Sequence, residues 1–235
     1  MLEVQANSLS SQIYAGLRQQ LMSARLRPGD RLKVRDVAAL SGTSETPVRE
    51  ALIQLVKDGA LEMKPGHYFR VRRLSLAEYM ELRDIRLLLE PHAAVKAAPH
   101  IDDVFLVELQ DIHEKLVEAE RTKDYPAALL HNYDFHFGVY RCSGMPQLIE
   151  ILERLWVQVG PLLSLLYPDG SPKYDGLHQH LNVIEALKRK DETAVRKAFE
   201  QDLIEGGRNF IRHLSDLEAQ EEEASRSSPR KNEKT

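Results

Sequence analysis

The sequence predicts a mostly α-helical chain in two parts: a small head of short helices closed by a β-hairpin, and a larger all-α bundle behind it. Three observations point there. Apolar residues recur at helical spacing along most of the 235 residues, and strict alternation is confined to two short runs around residues 60–63 and 68–71. Gly42 and Gly59 punctuate two short amphipathic stretches near the start. Charge divides the same way: residues 1–73 hold 12 Lys/Arg against 7 Asp/Glu, and the remainder holds 20 against 29. A basic head on an acidic body fits a nucleic-acid-contacting module joined to a body with another task, although the net charge of −4 alone argues against nucleic acid.

The first helix is predicted over 8–23, where Leu9, Ile13, Leu17 and Leu21 recur every four residues. Pro28, Gly29 and Asp30 signal a turn. A short helix follows from Val34 to Leu40, with Val37, Ala38 and Leu40 expected inward. Gly42 supplies the positive φ of a tight turn. The next helix is expected from Ser44 to Lys57, capped by Ser44 or Thr46, with Pro47 in its first turn. Val48, Leu52, Leu55 and Val56 then face a core, while Thr46, Arg49, Ile53 and Gln54 face outward. Gly59 stops the helix. The alternating runs around Lys64, Pro65, Gly66 and His67 read as a hairpin, so the head, residues 1–74, is a winged helix-turn-helix.

Ser75 followed by Glu78 is a capping-box pattern and opens the second domain, residues 75–218. Breaks near Pro99, Asp124–Pro126, Ser143–Pro146, Pro168–Pro172 and Lys190–Asp191 divide it into about six helices, an all-α helical bundle. Residues 219–235 are charged and Ser-rich, and an unstructured tail is expected there. No apolar run approaches the ~20 residues of a membrane span. The first residues lack a basic stretch followed by an apolar block, so no secretion signal is expected. The single Cys142 leaves no internal disulfide and fits a reducing cytoplasm. Nucleophile-elbow, P-loop and dinucleotide fingerprints are missing from the sequence.

The head string Pro28-Gly-Asp-Arg-Leu32, Val37-Ala-Ala-Leu40, Thr46-Pro-Val-Arg-Glu-Ala-Leu52 and Leu55 resembles the GntR family of bacterial regulators in order and spacing. The body resembles the FadR-type branch with its all-helical FCD effector domain. Its matching pieces are Arg86-Leu-Leu-Leu-Glu90, Asn132-Tyr-Asp-Phe-His136 with Ser143-Gly144, and His180-Leu-Asn-Val-Ile-Glu-Ala-Leu187 with Asp191. The resemblance implies a homodimeric transcription regulator, expected to be a repressor. It would bind a palindromic operator on double-stranded DNA and respond to a small molecule held in the helical domain. Carried over by position, Arg35, Ser44, Thr46 and Arg49 would contact DNA, with the wing at Lys64, Gly66 and His67. Arginine suits phosphate or guanine edges, and short hydroxyl side chains let the helix start approach closely. Position 45 departs from the pattern: it is usually arginine, and here it is Glu45. A carboxylate is repelled by phosphate and accepts only from a base donor such as cytosine N4, so a different operator core is expected; the alternative is that Glu45 turns away and pairs with Arg49.

Many domains of this branch hold a divalent metal by an Asp or Asn, a His four residues later and two further His. The matching positions are Asn132, His136, His180 and Asp202, the last in place of a histidine. Fewer nitrogen donors make Mn²⁺ less disfavoured against Zn²⁺ or Ni²⁺. The competing reading is a wet cavity whose polar groups bond one another. His178 is expected to face another side of the helix from His180, and His113 lacks a partner in the pattern. Arg86 is the candidate to bind a small organic-acid effector, the alternative being an Arg86–Glu90 helix pair. Tyr133 and Tyr140 are candidates for the same pocket, with Trp156 and Tyr167 as further walls. Two other function classes compete: a metal-dependent enzyme acting on a small carboxylate, and a helical protein-interaction module.

Overall fold

The computed structural model describes residues 8–64, 68–165 and 178–227. The head contains α1 (Leu9–Met22), β1 (Arg31–Lys33), α2 (Val34–Ser41), α3 (Glu45–Lys57), β2 (Leu61–Lys64) and β3 (Tyr68–Val71). The body contains α4 (Leu76–Ala97), α5 (Asp103–Arg121), α6 (Tyr125–Arg141), α7 (Pro146–Val159), α8 (Gln179–Arg189) and α9 (Glu192–Ser227). Short 3₁₀ turns follow α4 and α7.

Helix α1 is opened by Ser8, whose side chain accepts from the Ser11 N–H. Its stripe is buried at Leu17 and Leu21, while Leu9 at the free end stays exposed. Gly42 ends α2 in the left-handed region at φ 65°, and its N–H bonds the Ala38 carbonyl. That geometry swings the chain directly into α3, whose buried face is Val48, Ala51, Leu52 and Leu55. Ser44 occupies the N-cap position without a side-chain cap bond. Leu40 corrects the inward reading: it is 90% exposed, because Val34 and Ala38 define the buried face of so short a helix.

The predicted hairpin is β2 and β3, and β1 completes an antiparallel sheet in the order β1-β3-β2. Strand β1 has only three residues, too few for alternation to register; its signal is Leu32, buried between exposed Arg31 and Lys33. Leu32 lies opposite Phe69, and both join the head core.

Ser75 forms the capping box of α4: its Oγ accepts from the Glu78 N–H, and Glu78 accepts from the Ser75 N–H. Six body helices stand among the described residues at the places the sequence breaks mark; the break expected at 168–172 falls outside them. One correction concerns the tail. Helix α9 continues to Ser227, nine residues past the expected boundary, so residues 219–227 are helical. Its 36 residues span about 54 Å, and it packs on α4 and α8, with Phe210 against Tyr79 of α4.

Head and body meet along α7. Val157 belongs to the head core beside Leu21 and Leu55, although it sits on a body helix. Arg18 of α1 pairs with Glu153 at 2.7 Å. Gly160 touches the backbone of α1, where an added Cβ would stand 2.8 Å from Met22 Cα.

Candidate DNA-binding face and body cavity

Burial of one face of α3 leaves the other to solvent. Thr46 and Arg49 are exposed there, as are Ser44 and Glu45 at the helix start. Arg35 on α2 is 82% exposed in its side chain, with Asp36 at 3.8 Å. Ser44, Glu45 and Thr46 stand at the N-terminus of α3, just after the turn at Gly42, where the first backbone N–H groups of a helix favour an anion, and Arg49 lies one turn on. Glu45 and Arg49 stand 3.9 Å apart, both about half exposed. So open an ion pair is worth under ~1 kcal/mol and yields readily to a better partner. Lys64 ends β2, and its Nζ pairs with Glu62 at 2.8 Å on the same strand, while Glu62 also accepts from the cross-strand Arg70. Gly66 and His67 lie outside the described residues.

The body encloses a cavity of about 100 Å³ walled by α4, α5, α6, α7 and α9. Arg86, Asn132, His136, Trp156, His178 and Asp202 all line it. Asn132 and His136, one turn apart on α6, share its wall, as their spacing predicts.

Glu90 is the hub behind this wall. Fully buried, it accepts from Arg86 Nε at 2.5 Å, Trp156 Nε1 at 2.7 Å and the Tyr140 hydroxyl at 2.6 Å. Burial first, then the charge of Glu90, holds the Tyr140 hydroxyl well above the usual phenol range. Tyr140 therefore keeps its proton and gives it to Glu90. Its oxygen is left to accept from His136 Nδ1, 3.0 Å away. On the other side of the ring His136 Nε2 faces Asp202 Oδ2 at 3.2 Å. Either a proton on Nε2 or a metal ion serves such a pair.

His180 joins the same group, with Nε2 3.9 Å from Asp202 Oδ1. Burial, reinforced by His136, His178 and His113, holds its imidazole well below the usual histidine range, so the ring is neutral. Both of its nitrogens are buried without a hydrogen-bond partner. Three of the four predicted ligands thus converge, with one ligand atom each from His136, His180 and Asp202 within 4.8 Å of one another, and Asn132 sits on the adjoining wall. These donors suit a divalent ion: two imidazoles, a carboxylate, and a relay from His136 Nδ1 through Tyr140 to Glu90 that orients the ring.

Two predicted effector residues are corrected. Tyr133 does not line the cavity: it stacks on Phe137 and bonds Glu153 and Arg141, because it lies about 100° round α6 from Asn132. Tyr140 is fully buried and supports His136 from behind. Arg86 does line the cavity, yet it is also the partner of Glu90, so both readings of Arg86 describe one buried side chain. Its charge is secure: burial lowers its proton affinity, and Glu90 more than offsets this.

His113 and His178 are functional candidates that the spacing argument set aside. His178 is the N-cap of α8 and not part of the helix, so the 100° step from residue to residue does not apply to it. His113 lies buried in the stripe of α5 between Leu109 and Leu116, where a core reading comes first. No helix among the described residues is long and apolar enough to cross a membrane.

Comparison with known proteins accounts for both parts. Residues 9–71 match the model for bacterial regulatory proteins of the gntR family, and residues 81–204 match the FCD domain. The chain is 36% identical over 193 residues to the HTH-type transcriptional regulator McbR of Escherichia coli K12, covering 80% of this chain and 86% of that one. It is 28% identical over 198 residues to the transcriptional repressor RspR of the same strain, covering 84% and 86%. The solved structure of E. coli McbR superimposes with a TM-score of 0.79 at 32% identity, covering 92% of this chain and all of the other. The named regulators among these relatives are transcription factors and not enzymes, which removes the catalytic alternative. The chain belongs to the GntR family, in the FadR-type branch with an FCD domain, and is a DNA-binding transcription regulator.

Proposed function

We propose that this regulator is a cytoplasmic, metabolite-responsive repressor that binds a palindromic operator as a homodimer. Arg35, Ser44, Thr46 and Arg49 carry the DNA contacts, and Lys64, Gly66 and His67 bring the wing to the backbone. Glu45 reads the operator core in place of the usual arginine; in the free protein it stands 3.9 Å from Arg49, the alternative pairing, which is open enough for a base donor to displace. In the body, His136, His180 and Asp202, with Asn132, hold a divalent ion of the Zn, Ni or Mn type. When bound, that ion supplies a Lewis-acidic anchor for a carboxylate effector. Arg86 stands on the same wall and carries a permanent charge toward such an effector.

The observation that carries the reading is the meeting of His136 Nε2 and Asp202 Oδ2 at 3.2 Å, with His136 Nδ1 held by the Tyr140 hydroxyl on the far side. Effector binding beside Trp156 biases α7, which shares Val157 with the head core, and so shifts the spacing of two heads on their half-sites. Gel-shift titration of the DNA flanking the gene, at moderate salt, tests the first claim: a sequence-dependent complex is expected, and its absence overturns operator binding. Native mass spectrometry tests the second. It should find a bound ion in the full chain that is lost in His136→Ala; a wild-type mass without metal, even after loading with Zn²⁺, Ni²⁺ or Mn²⁺, overturns the ion.

A further inference from the structure

Beside that ion site lies a second convergence of imidazoles that the family's pattern does not include. His113 comes from α5, His178 caps α8, and His180 stands in the first turn of α8. Their ring centroids are 4.8 Å apart for His113–His178, 4.4 Å for His178–His180 and 5.6 Å for His113–His180. One ligand nitrogen from each lies within 4.8 Å of the other two. Nitrogens sharing a tetrahedral ion at bonds of about 2.0–2.1 Å sit about 3.4 Å apart, so small rotations of the rings close the gap.

Two of these rings are buried and carry nitrogens that nothing satisfies: Nδ1 of His113 and both nitrogens of His180. Buried polar atoms are paired in the great majority of folded proteins, and orphans gathered at one point require an explanation. Mutual hydrogen bonding among the three rings does not supply it, since the His113 and His180 atoms remain unpartnered with the neighbours in place.

We propose that His113, His178 and His180 form a three-imidazole metal site, adjoining the His136–Asp202 position and sharing His180 with it, that takes a nitrogen-preferring divalent ion such as Zn²⁺, Ni²⁺ or Cu²⁺. An all-imidazole set favours these ions over Mn²⁺ or Mg²⁺, whereas the neighbouring carboxylate-containing set discriminates less. His178 lies on the cavity wall, which gives an ion a route in. Its Nδ1 accepts from the His180 N–H at 3.2 Å. Binding through Nε2 moves the ring proton of the neutral imidazole from Nε2 to Nδ1, and so exchanges this cap bond for a metal bond. The site overlaps the ion site proposed above only at His180 and does not depend on it.

The test uses the full-length protein and Zn²⁺, Ni²⁺ and Mn²⁺ alone, titrated by calorimetry, with Co²⁺ visible absorption as a readout of coordination. One variant is His113→Leu with His178→Asn: leucine continues the apolar stripe of α5, and asparagine still caps α8. It should weaken Zn²⁺ and Ni²⁺ by about 10-fold or more, in line with the loss of metal-site support, and leave Mn²⁺ unchanged. The other, His136→Ala with Asp202→Ala, should keep Zn²⁺ and Ni²⁺ binding that disappears once the first pair is added. Wild-type Zn²⁺ and Ni²⁺ affinity in the first variant overturns the three-imidazole site while leaving the His136–Asp202 site standing. Loss of all binding in the second variant overturns it as well. In the unaltered protein, Zn²⁺ should shift the imidazole NMR signals of His113 and His178; shifts confined to His136 and His180 exclude the new site without any mutation.

Discussion

The two domains place their functional side chains in opposite surroundings. In the head, Arg35, Glu45 and Arg49 stand in solvent with partners no nearer than 3.8–3.9 Å. In the body, Arg86, Glu90, His136 and Asp202 are nearly or wholly buried, and Glu90 alone takes three donors within 2.5–2.7 Å. Recognition of DNA requires groups whose pairing is easily exchanged. Holding a small charged ligand requires groups whose orientation is fixed before the ligand arrives. The same residue types therefore stabilise the fold in one domain and contribute almost nothing to it in the other, and mutations should separate the two.

The largest effect is expected at Glu90. Glu90→Ala leaves the Arg86 charge buried beside the Trp156 ring without its partner, which costs about 3–5 kcal/mol. Urea denaturation of the variant measures it. A loss below ~1 kcal/mol would mean that water reaches Arg86 freely and that the body wall is not the dry, fixed surface described.

Gly160→Ala comes next and tests the seam between the domains. The added methyl would meet Met22 Cα at 2.8 Å and the Leu21 carbonyl oxygen at 2.9 Å, both backbone atoms that cannot rotate aside. Overpacking of this kind costs about 1–3 kcal/mol, and α1 must shift away from the end of α7. Denaturation together with proteolysis near α1 should show both effects. An unchanged protein would show that head and body slide over each other without strain.

What the sequence displays follows the same division. The head was legible almost residue by residue, because helix punctuation at Gly42 and Gly59 and the apolar face of α3 are local signals. Strand β1 escaped because three residues carry no period, and Leu40 was misplaced because α2 is too short for its stripe to average out. In the body, Asn132 and His136 are legible through the family resemblance, and their i,i+4 spacing puts both on one face of α6. The hub at Glu90 was not, since it joins α4, α6 and α7 across up to 66 residues of sequence. Nor was the role of His178, whose direction depends on its being a cap and not a helical residue.

A smaller effect is expected at the linker. Ser75→Ala removes the acceptor for the Glu78 N–H at 3.2 Å and should destabilise by about 1 kcal/mol. Glu78 also pairs with Arg72 at 2.7 Å, which ties the capping box to the end of the wing strand. Thermal denaturation checks the magnitude. A loss near zero would show that Arg72 and the Ser75 N–H hold Glu78 without help from the hydroxyl.

Arg49→Ala should have the smallest effect on the fold and a large one on DNA. The side chain is 47% exposed and, among the described residues, its one ion pair is the 3.9 Å contact to Glu45, so stability should stay within about 0.5 kcal/mol of the parent. Operator affinity should fall by an amount set by a lost base or phosphate contact, roughly 1–3 kcal/mol for a reading arginine. Fluorescence anisotropy at two salt concentrations separates the possibilities. A uniform loss across sequences with a shallower salt slope assigns Arg49 to phosphate, and a loss concentrated on the specific operator assigns it to a base. If both stability and operator affinity are untouched, the exposed face of α3 is not the surface that meets DNA, and the contrast between an exchangeable head and a fixed body loses its functional meaning.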